Sequence, residues 1–297
     1  VTDTSSGAGT NWTCVVPLIG ANQEQGIAGD ADGAVGFTIN ASDIAGNALT
    51  PVTSVTDGSS MVFDKTIPSL TSVSISSSNA AATLAKPDDT VTVTFVSDTP
   101  LTADPTCTFT TDNVAISSTV TVTDTSSGAG TNWTCVVPLL GANQGVAGDA
   151  DGAVGFTINA SDLAGNALAP VTSVTDSSSM VFDKTAPTLT AVGISSSNSA
   201  TSLAKPGDTV TLTFTADTPL AADPTCTFTT DNDAVSSTVT VADTSDDGTG
   251  WTCVVPMVTG DTDGPVSFTI NATDLAGNSL SPVTDPTDGS SMSFDKT

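Results

Sequence analysis

One stretch constrains this chain more than any other, because it occurs three times. Phe37-Thr-Ile-Asn-Ala-Ser-Asp-Ile-Ala-Gly-Asn-Ala-Leu49 returns as Phe156 to Leu168 and, slightly altered, as Phe268 to Leu280. Phe, Ile and Ala alternate with Thr, Asn and Ser, the period-two pattern of a half-buried β-strand. Asp-Ile/Leu-Ala-Gly-Asn then breaks the strand. Gly46, Gly165 and Gly277 supply the positive φ that such a turn needs, and the flanking Asp and Asn suit it. Each copy is followed by Phe-Asp-Lys-Thr, at 63–66, 182–185 and 294–297.

The period is that of a domain. Trp12, Trp133 and Trp251 mark the same place in successive repeats and stand 121 and 118 residues apart. That is too long for a solenoid coil and right for a unit with its own core. Phe-Asp-Lys-Thr as the unit's end gives 1–66, 67–185 and 186–297. Val1-Thr-Asp-Thr matches Val122-Thr-Asp-Thr, so 1–66 reads as the C-terminal half of a domain, expected to continue upstream.

Within 67–185 the pattern predicts seven short strands: Leu70 to Ile75, Thr90 to Val96, Thr106 to Thr110, Ser118 to Thr123, Trp133 to Val137, Ala153 to Ser161 and Ser179 to Asp183. Val91, Val93 and Phe95 fall on one face of the second. Gly141 to Gly152 reads as a Gly-rich loop. Turns of Gly, Pro, Asp and Ser separate the strands and no helical periodicity appears, so a β-sandwich is expected in each unit. Phe95, Phe109, Phe156, Phe182 and Trp133 provide its core.

The charge narrows the partners. The chain carries 31 Asp and one Glu against five Lys, without Arg, His or Tyr, for a net charge of −27. The segments contribute −6, −9 and −12, so the acidity runs along the whole array. Nucleic acid and anionic membranes need basic surface and are not expected partners. No stretch is long and apolar enough to span a bilayer as a helix. Without His, Arg or Tyr the usual general bases, anion clamps and nucleophile partners are missing, so catalysis is not expected. Paired carboxylates of the glycosidase kind would need one cleft. Here the Asp residues recur with the repeats and fall in turns.

Five cysteines follow the same arithmetic. Cys107 and Cys135 lie in one repeat and Cys226 and Cys253 in the next, while Cys14 corresponds to Cys135 and has its counterpart upstream of Val1. One disulfide per repeat is the economical reading. Each would contribute about 3.5 kcal/mol in the chain-entropy treatment and would place the chain outside the cytoplasm. Zinc ligation would leave a tetrahedral site half filled.

Strand-Ala-Ser/Thr-Asp-x-Ala-Gly-Asn, followed by Phe-Asp-Lys-Thr-Ala-Pro at a unit boundary, resembles the bacterial Ig-like domains of large surface proteins and repeat adhesins. The resemblance covers the whole chain. It implies an all-β linear array of tandem seven-stranded Ig-like sandwiches, extracellular and attached to a cell surface or assembled into a filament. Its partners would be copies of itself or neighbouring repeats, or glycan and protein ligands if the units act as adhesin modules. Two departures from antibody-type domains stand out. There is no tyrosine corner, and the cysteines belong to strands three and five rather than two and six.

If the strands run in Ig order, each sandwich receives the chain at one pole and releases it at the other. The linker Asp64-Lys65-Thr66 is then expected to meet Asp98 and Asp162-Leu-Ala-Gly-Asn166 of the next unit, with Asp30 and Asp32 approaching from the other side. The second boundary repeats this with Asp149, Asp151, Asp183, Asp217, Asp274 and Asn278. Converging oxygens with little positive charge nearby suit Ca²⁺, which takes six to eight oxygen ligands. Some adhesins that the chain resembles are stiffened by calcium in this way. The other reading is that these Asp residues cap turns and keep the surface soluble. Asn40, Asn159 and Asn271 open Asn-Ala-Ser/Thr triplets on the outer strand face and are sterically suited to glycosylation. Such triplets also arise by chance in a Ser/Thr/Asn-rich chain.

Overall fold

The computed structural model describes residues 1–6, 9–20, 29–102, 105–141 and 148–297. Part of the Gly-rich loop expected at 141–152 lies outside them. Among the described residues of 1–66, β1 (Thr2–Asp3) pairs with β2 (Trp12–Thr13) and β3 (Gly33–Ala34) with β4 (Val62–Phe63), and isolated bridges join Ile39 to Val52 and Ser42 to Ala48.

The second repeat holds β5 (Leu70–Ser77), β6 (Leu84–Ala85), β7 (Thr90–Ser97), β8 (Thr106–Thr111), β9 (Val114–Ala115), β10 (Thr121–Asp124), β11 (Asn132–Pro138), β12 (Gly152–Asn159) and β13 (Val181–Phe182). The third repeats the series as β14 (Leu189–Ser196), β15 (Leu203–Ala204), β16 (Thr209–Ala216), β17 (Thr225–Thr230), β18 (Asp233–Ala234), β19 (Thr240–Asp243), β20 (Gly250–Pro256), β21 (Gly264–Asn271) and β22 (Ser293–Phe294). Each repeat has one sheet of four strands, ordered β10-β11-β7-β5 or β19-β20-β16-β14, and one of five, ordered β6-β13-β12-β8-β9 or β15-β22-β21-β17-β18. This is a tandem Ig-like β-sandwich.

Two strands per repeat exceed the expected seven. β6 pairs parallel to β13, Leu84 beside Val181, and β9 pairs with the end of β8. Each is two residues long, too short to carry a readable period. Both sit at sheet edges, where β6 makes the returning chain part of the five-stranded sheet.

The alternation chose the faces. Val91, Val93 and Phe95 of β7 are fully buried, and Thr90, Thr92 and Thr94 point away from the core. Trp133 pairs with Phe95 and Phe156 with Phe109, so large side chains from both sheets meet in one cluster with Phe182. Each such side chain contributes roughly 1.5–3 kcal/mol by leaving water. The indole of Trp133 donates to the Gly130 carbonyl at 3.0 Å, which satisfies its polar atom inside the core.

Residues 1–66 make the same local turns without the core. Trp12 donates to the Gly9 carbonyl at 3.0 Å as Trp133 does to Gly130. Yet Trp12 is 59% exposed and Trp133 only 4%. The strands that cover Trp133 have no counterparts among residues 1–66.

Candidate functional site

Two of the three copies of the repeated turn, at 162–166 and 274–278, lie where one unit meets the next. Asp162 is buried, and its carboxylate accepts the main-chain N–H of Ala164 and of Asn166, both at 2.9 Å. The Asn166 side-chain amide donates to the same carboxylate at 2.9 Å. Gly165 takes φ +92° to close the loop, as Gly46 and Gly277 do at +90° and +89°. An L-side chain resists that conformation. The result is an Asx turn in which Asp locks Asn, and Asn keeps one amide hydrogen for another partner.

That partner is the incoming linker. Asn166 donates to the main-chain carbonyl of Asp64 at 3.1 Å, and Asn278 to that of Asp183 at 3.0 Å. The turn at 43–47 has the same internal bonds, Asn47 to Asp43 at 2.8 Å through both its main-chain and side-chain nitrogens.

The linker is tied just as firmly to the unit it leaves. Lys184 N–H donates to Asp151 at 2.6 Å, Thr185 Oγ1–H donates to the same carboxylate, and Lys184 Nζ donates to the Asp149 carbonyl. Lys65 and Thr66 make the same bonds to Asp32 and Asp30. Lys296 repeats them with Asp263 at 2.7 Å and Asp261 at 2.6 Å. The exit peptides at 63–66 and 182–185 are therefore clamped behind the joint and bonded by Asn ahead of it.

At the second joint the preceding unit adds two further residues. The Asn79 amide donates to the Ala276 carbonyl at 2.9 Å, and a Cβ added to Gly277 would stand 3.3 Å from Lys86 Cε. Sequence reasoning missed both. The signal was cation scarcity: all five lysines, 65, 86, 184, 205 and 296, lie either in Phe-Asp-Lys-Thr or in Lys-Pro-x-Asp. Ala276 and Asn278 are buried here, whereas Ala164 and Gly165 at the first joint are exposed. Residues 1–66 contain no counterpart of Asn79 or Lys86 to cover them.

Two other Asp residues of the expected site are occupied by donors at the entry of their own unit. Asp98 accepts the Ser69 N–H at 2.9 Å and the Ser69 hydroxyl at 2.7 Å, and Asp217 accepts both donors of Thr188 at 2.7 Å. These backbone and hydroxyl donors hold both carboxyls below their ordinary range. For Asp162 burial acts upward, but the bonds from Asn166, Ala164 and Gly165 outweigh it and the net displacement is downward. Asp183 goes the other way. Burial first, then the carboxylates of Asp274 and Asp151, push it up against the pull of the Thr185 N–H. Among the described residues, no three His, Cys, Asp or Glu side chains are grouped as a metal-holding set.

Cys107 and Cys135 are bonded, with Cα atoms 6.3 Å apart, as are Cys226 and Cys253 at 6.3 Å. Each bond joins the two sheets through the core, β8 to β11 and β17 to β20. Cys14 is exposed and unbonded. Asn159 and Asn271 are exposed at the ends of β12 and β21, and Asn40 is exposed outside any strand.

No known protein family matches the sequence, and no curated protein does. Solved structures that the chain matches include the titin Ig tandem domains A164-A165, at 10% identity and a TM-score of 0.25, covering 78% of this chain and 98% of that one. Another is the N-terminal eight Ig domains of Down Syndrome Cell Adhesion Molecule, at 14% identity and 0.33, covering 78% of this chain and 25% of that one. The fold assignment rests on the strand order above.

Proposed function

We propose that the chain is a structural segment of an extracellular stalk or filament, in which Ig-like units are set at a fixed angle by a repeated joint. The observation that carries this reading is the recurrence of one bond, Asn166 to Asp64 and Asn278 to Asp183, between the same turn and the same linker position. A spacer needs one unit and one joint many times, whereas a recognition site needs one distinct surface. Core disulfides support a location outside the cytoplasm, and the resemblance to bacterial surface repeats points the same way. Scarce Lys and absent Arg would leave few sites for trypsin-like proteases.

In this reading the joint carboxylates are turn caps. Calcium at the joints is the competing proposal: a cation beside Asp183 would relieve the crowding with Asp151 and Asp274, but would have to displace N–H and O–H donors already in place.

A second reading, adhesin modules that bind glycan or protein, is favoured by Ile44, Leu163 and Leu275. These exposed apolar residues recur at the rim of every turn. Electron microscopy of the native material tests the stalk: rods or fibres with a uniform axial repeat are expected. Glycan-array binding by the chain, lost on Leu275→Ser, would favour the second reading.

A further inference from the structure

Asn159-Ala160-Ser161 and Asn271-Ala272-Thr273 hold one place in two whole repeats, and the change of Ser to Thr keeps the Asn-x-Ser/Thr triplet. Asn159 ends β12 and Asn271 ends β21, so each triplet leaves its pairing with β8 or β17 directly after the Asn. Both Asn residues are exposed. Their side chains differ from those near the joints, where Asn79, Asn166, Asn198 and Asn278 are each bonded to an Asp carboxylate at 2.7–2.9 Å. Among the described residues, no hydrogen bond engages the side-chain amide of Asn159 or Asn271, or the hydroxyl of Ser161 or Thr273.

A recess lies beside each triplet. Thr106, Asn159, Ala160, Ser161 and Leu168 line one of about 360 Å³, and Thr225, Asn271, Ala272, Thr273 and Leu280 line its counterpart of about 310 Å³. Both volumes fall at the lower end for ligand sites. Asp223 adds a carboxylate to the second recess, but the lining named for both is hydroxyl, amide and aliphatic. Such a lining suits a neutral polyhydroxylated ring, with C–H faces on Ala and Leu and hydroxyls on Thr and Ser. An anionic occupant would be repelled by a chain of net charge −27. Asn132-Trp133-Thr134 is a different case: it lies within β11, Trp133 is buried, and Gly250 replaces the Asn in the third repeat.

We infer that Asn159 and Asn271 are N-glycosylation sites, and that the recess beside each receives the first sugar of its glycan. The donor is a sugar carried on a lipid pyrophosphate, used by a transferase that acts on exported chains. Asn Nδ2 forms a bond to the anomeric carbon of that sugar. The bond from this carbon to the pyrophosphate oxygen breaks, and the lipid pyrophosphate leaves with the electron pair. The proton lost from the nitrogen passes to a base of the transferase. The outcome is one bulky, hydrated and neutral group at the same position of each whole unit, which adds solvation to a surface otherwise kept soluble by Asp. The inference needs the extracellular location of the stalk reading but not the stalk itself.

Peptide mapping of the native chain tests it. An amidase that releases N-glycans, acting in heavy-oxygen water, leaves labelled Asp wherever an Asn was occupied. Label is expected at positions 159 and 271 and not at 132. Ser161→Ala and Thr273→Ala remove hydroxyls that make no internal bond, so the fold should survive. Made in the producing cell, each variant should abolish the label two residues earlier. In the intact glycoprotein, nuclear Overhauser contacts are expected between the first sugar and the Ala160 or Ala272 methyl. Their absence would overturn the seating of the sugar in the recess. Unlabelled Asn159 and Asn271, or carbohydrate confined to Ser and Thr, would overturn the sites and leave the stalk reading standing. Label at Asn132 as strong as at Asn159 would also overturn the inference, because the triplet without the recess would then be enough.

Discussion

The side-chain amide of Asn278 donates to the main-chain carbonyl of Asp183 at 3.0 Å across 95 residues of sequence, while bonded at 2.9 Å to the buried carboxylate of Asp274. One asparagine thereby connects the last linker of one sandwich to the turn of the next. Asn278→Ala keeps the main-chain bond to Asp274 but loses both amide bonds. A loss of about 1–2 kcal/mol is expected in the unfolding free energy of the third unit, since one of the lost acceptors is charged. Urea unfolding followed by tryptophan fluorescence measures it; an unchanged midpoint would remove the bond from the account.

The Asp183 carboxyl is pushed upward, by burial and by Asp274 and Asp151. Its charge therefore opposes the folded joint at neutral pH. Asp183→Asn removes that charge and leaves an oxygen to accept the Thr185 N–H, so a higher thermal midpoint is expected at pH 7. A fall would mean that the charge is stabilised by something that these neighbours do not supply.

Acid should act in the opposite direction on most of the molecule. The carboxyls of Asp98 and Asp217 are held below the model-compound value of 3.8 by their donors. A group depressed on folding contributes stability that is present above its unfolded pKa and is lost as pH falls through the folded one. Asp183, displaced upward, offsets a little of this on the same descent. Unfolding free energy should be flat from about pH 7 to 5 and drop below about 4. A steady increase down to pH 3 would show that relief of the net negative charge outweighs the turn bonds.

Much of this was legible in the sequence. The alternation in Thr90 to Val96 placed Val91, Val93 and Phe95 inside, and Asp-x-Ala-Gly-Asn announced a turn with a positive-φ Gly. Two things were not legible. β6 and β9 are defined by their partners and are too short for a pattern. The second joint also uses Asn79 and Lys86, which lie 197 residues and more than 190 residues from the atoms they meet, so nothing local marks them. The carboxylates were readable as a cluster but not as caps, because an Asp that binds its own turn has the same one-letter code as one that binds a cation.

The cross-sheet disulfide is expected to matter more than any single turn bond. Replacing Cys226 and Cys253 together by Ala opens a loop of 27 residues and should cost about 3.5 kcal/mol. Chemical unfolding with and without reductant checks this, and a difference under about 1 kcal/mol would indicate that the closed loop is already restricted in the unfolded chain.

Calcium distinguishes caps from ligands. Because the Asp oxygens at the joints already accept N–H and O–H donors, the thermal midpoint in millimolar calcium and in chelator should agree within about 1 °C, well under the 2–4 °C expected from a 1 kcal/mol change in a chain of this size. A larger calcium-dependent rise, abolished by Asp183→Asn, would establish a cation at the joint.

The central claim is that the Asp-x-Ala-Gly-Asn turn sets the angle between neighbouring sandwiches. The most direct measurement is the distance distribution between spin labels placed on the outer faces of β12 and β21, in a chain whose exposed Cys14 is changed to Ser. The account predicts a narrow distribution that broadens markedly on Asn278→Ala while both sandwiches stay folded. A distribution of the same width with and without the Asn278 amide would contradict it.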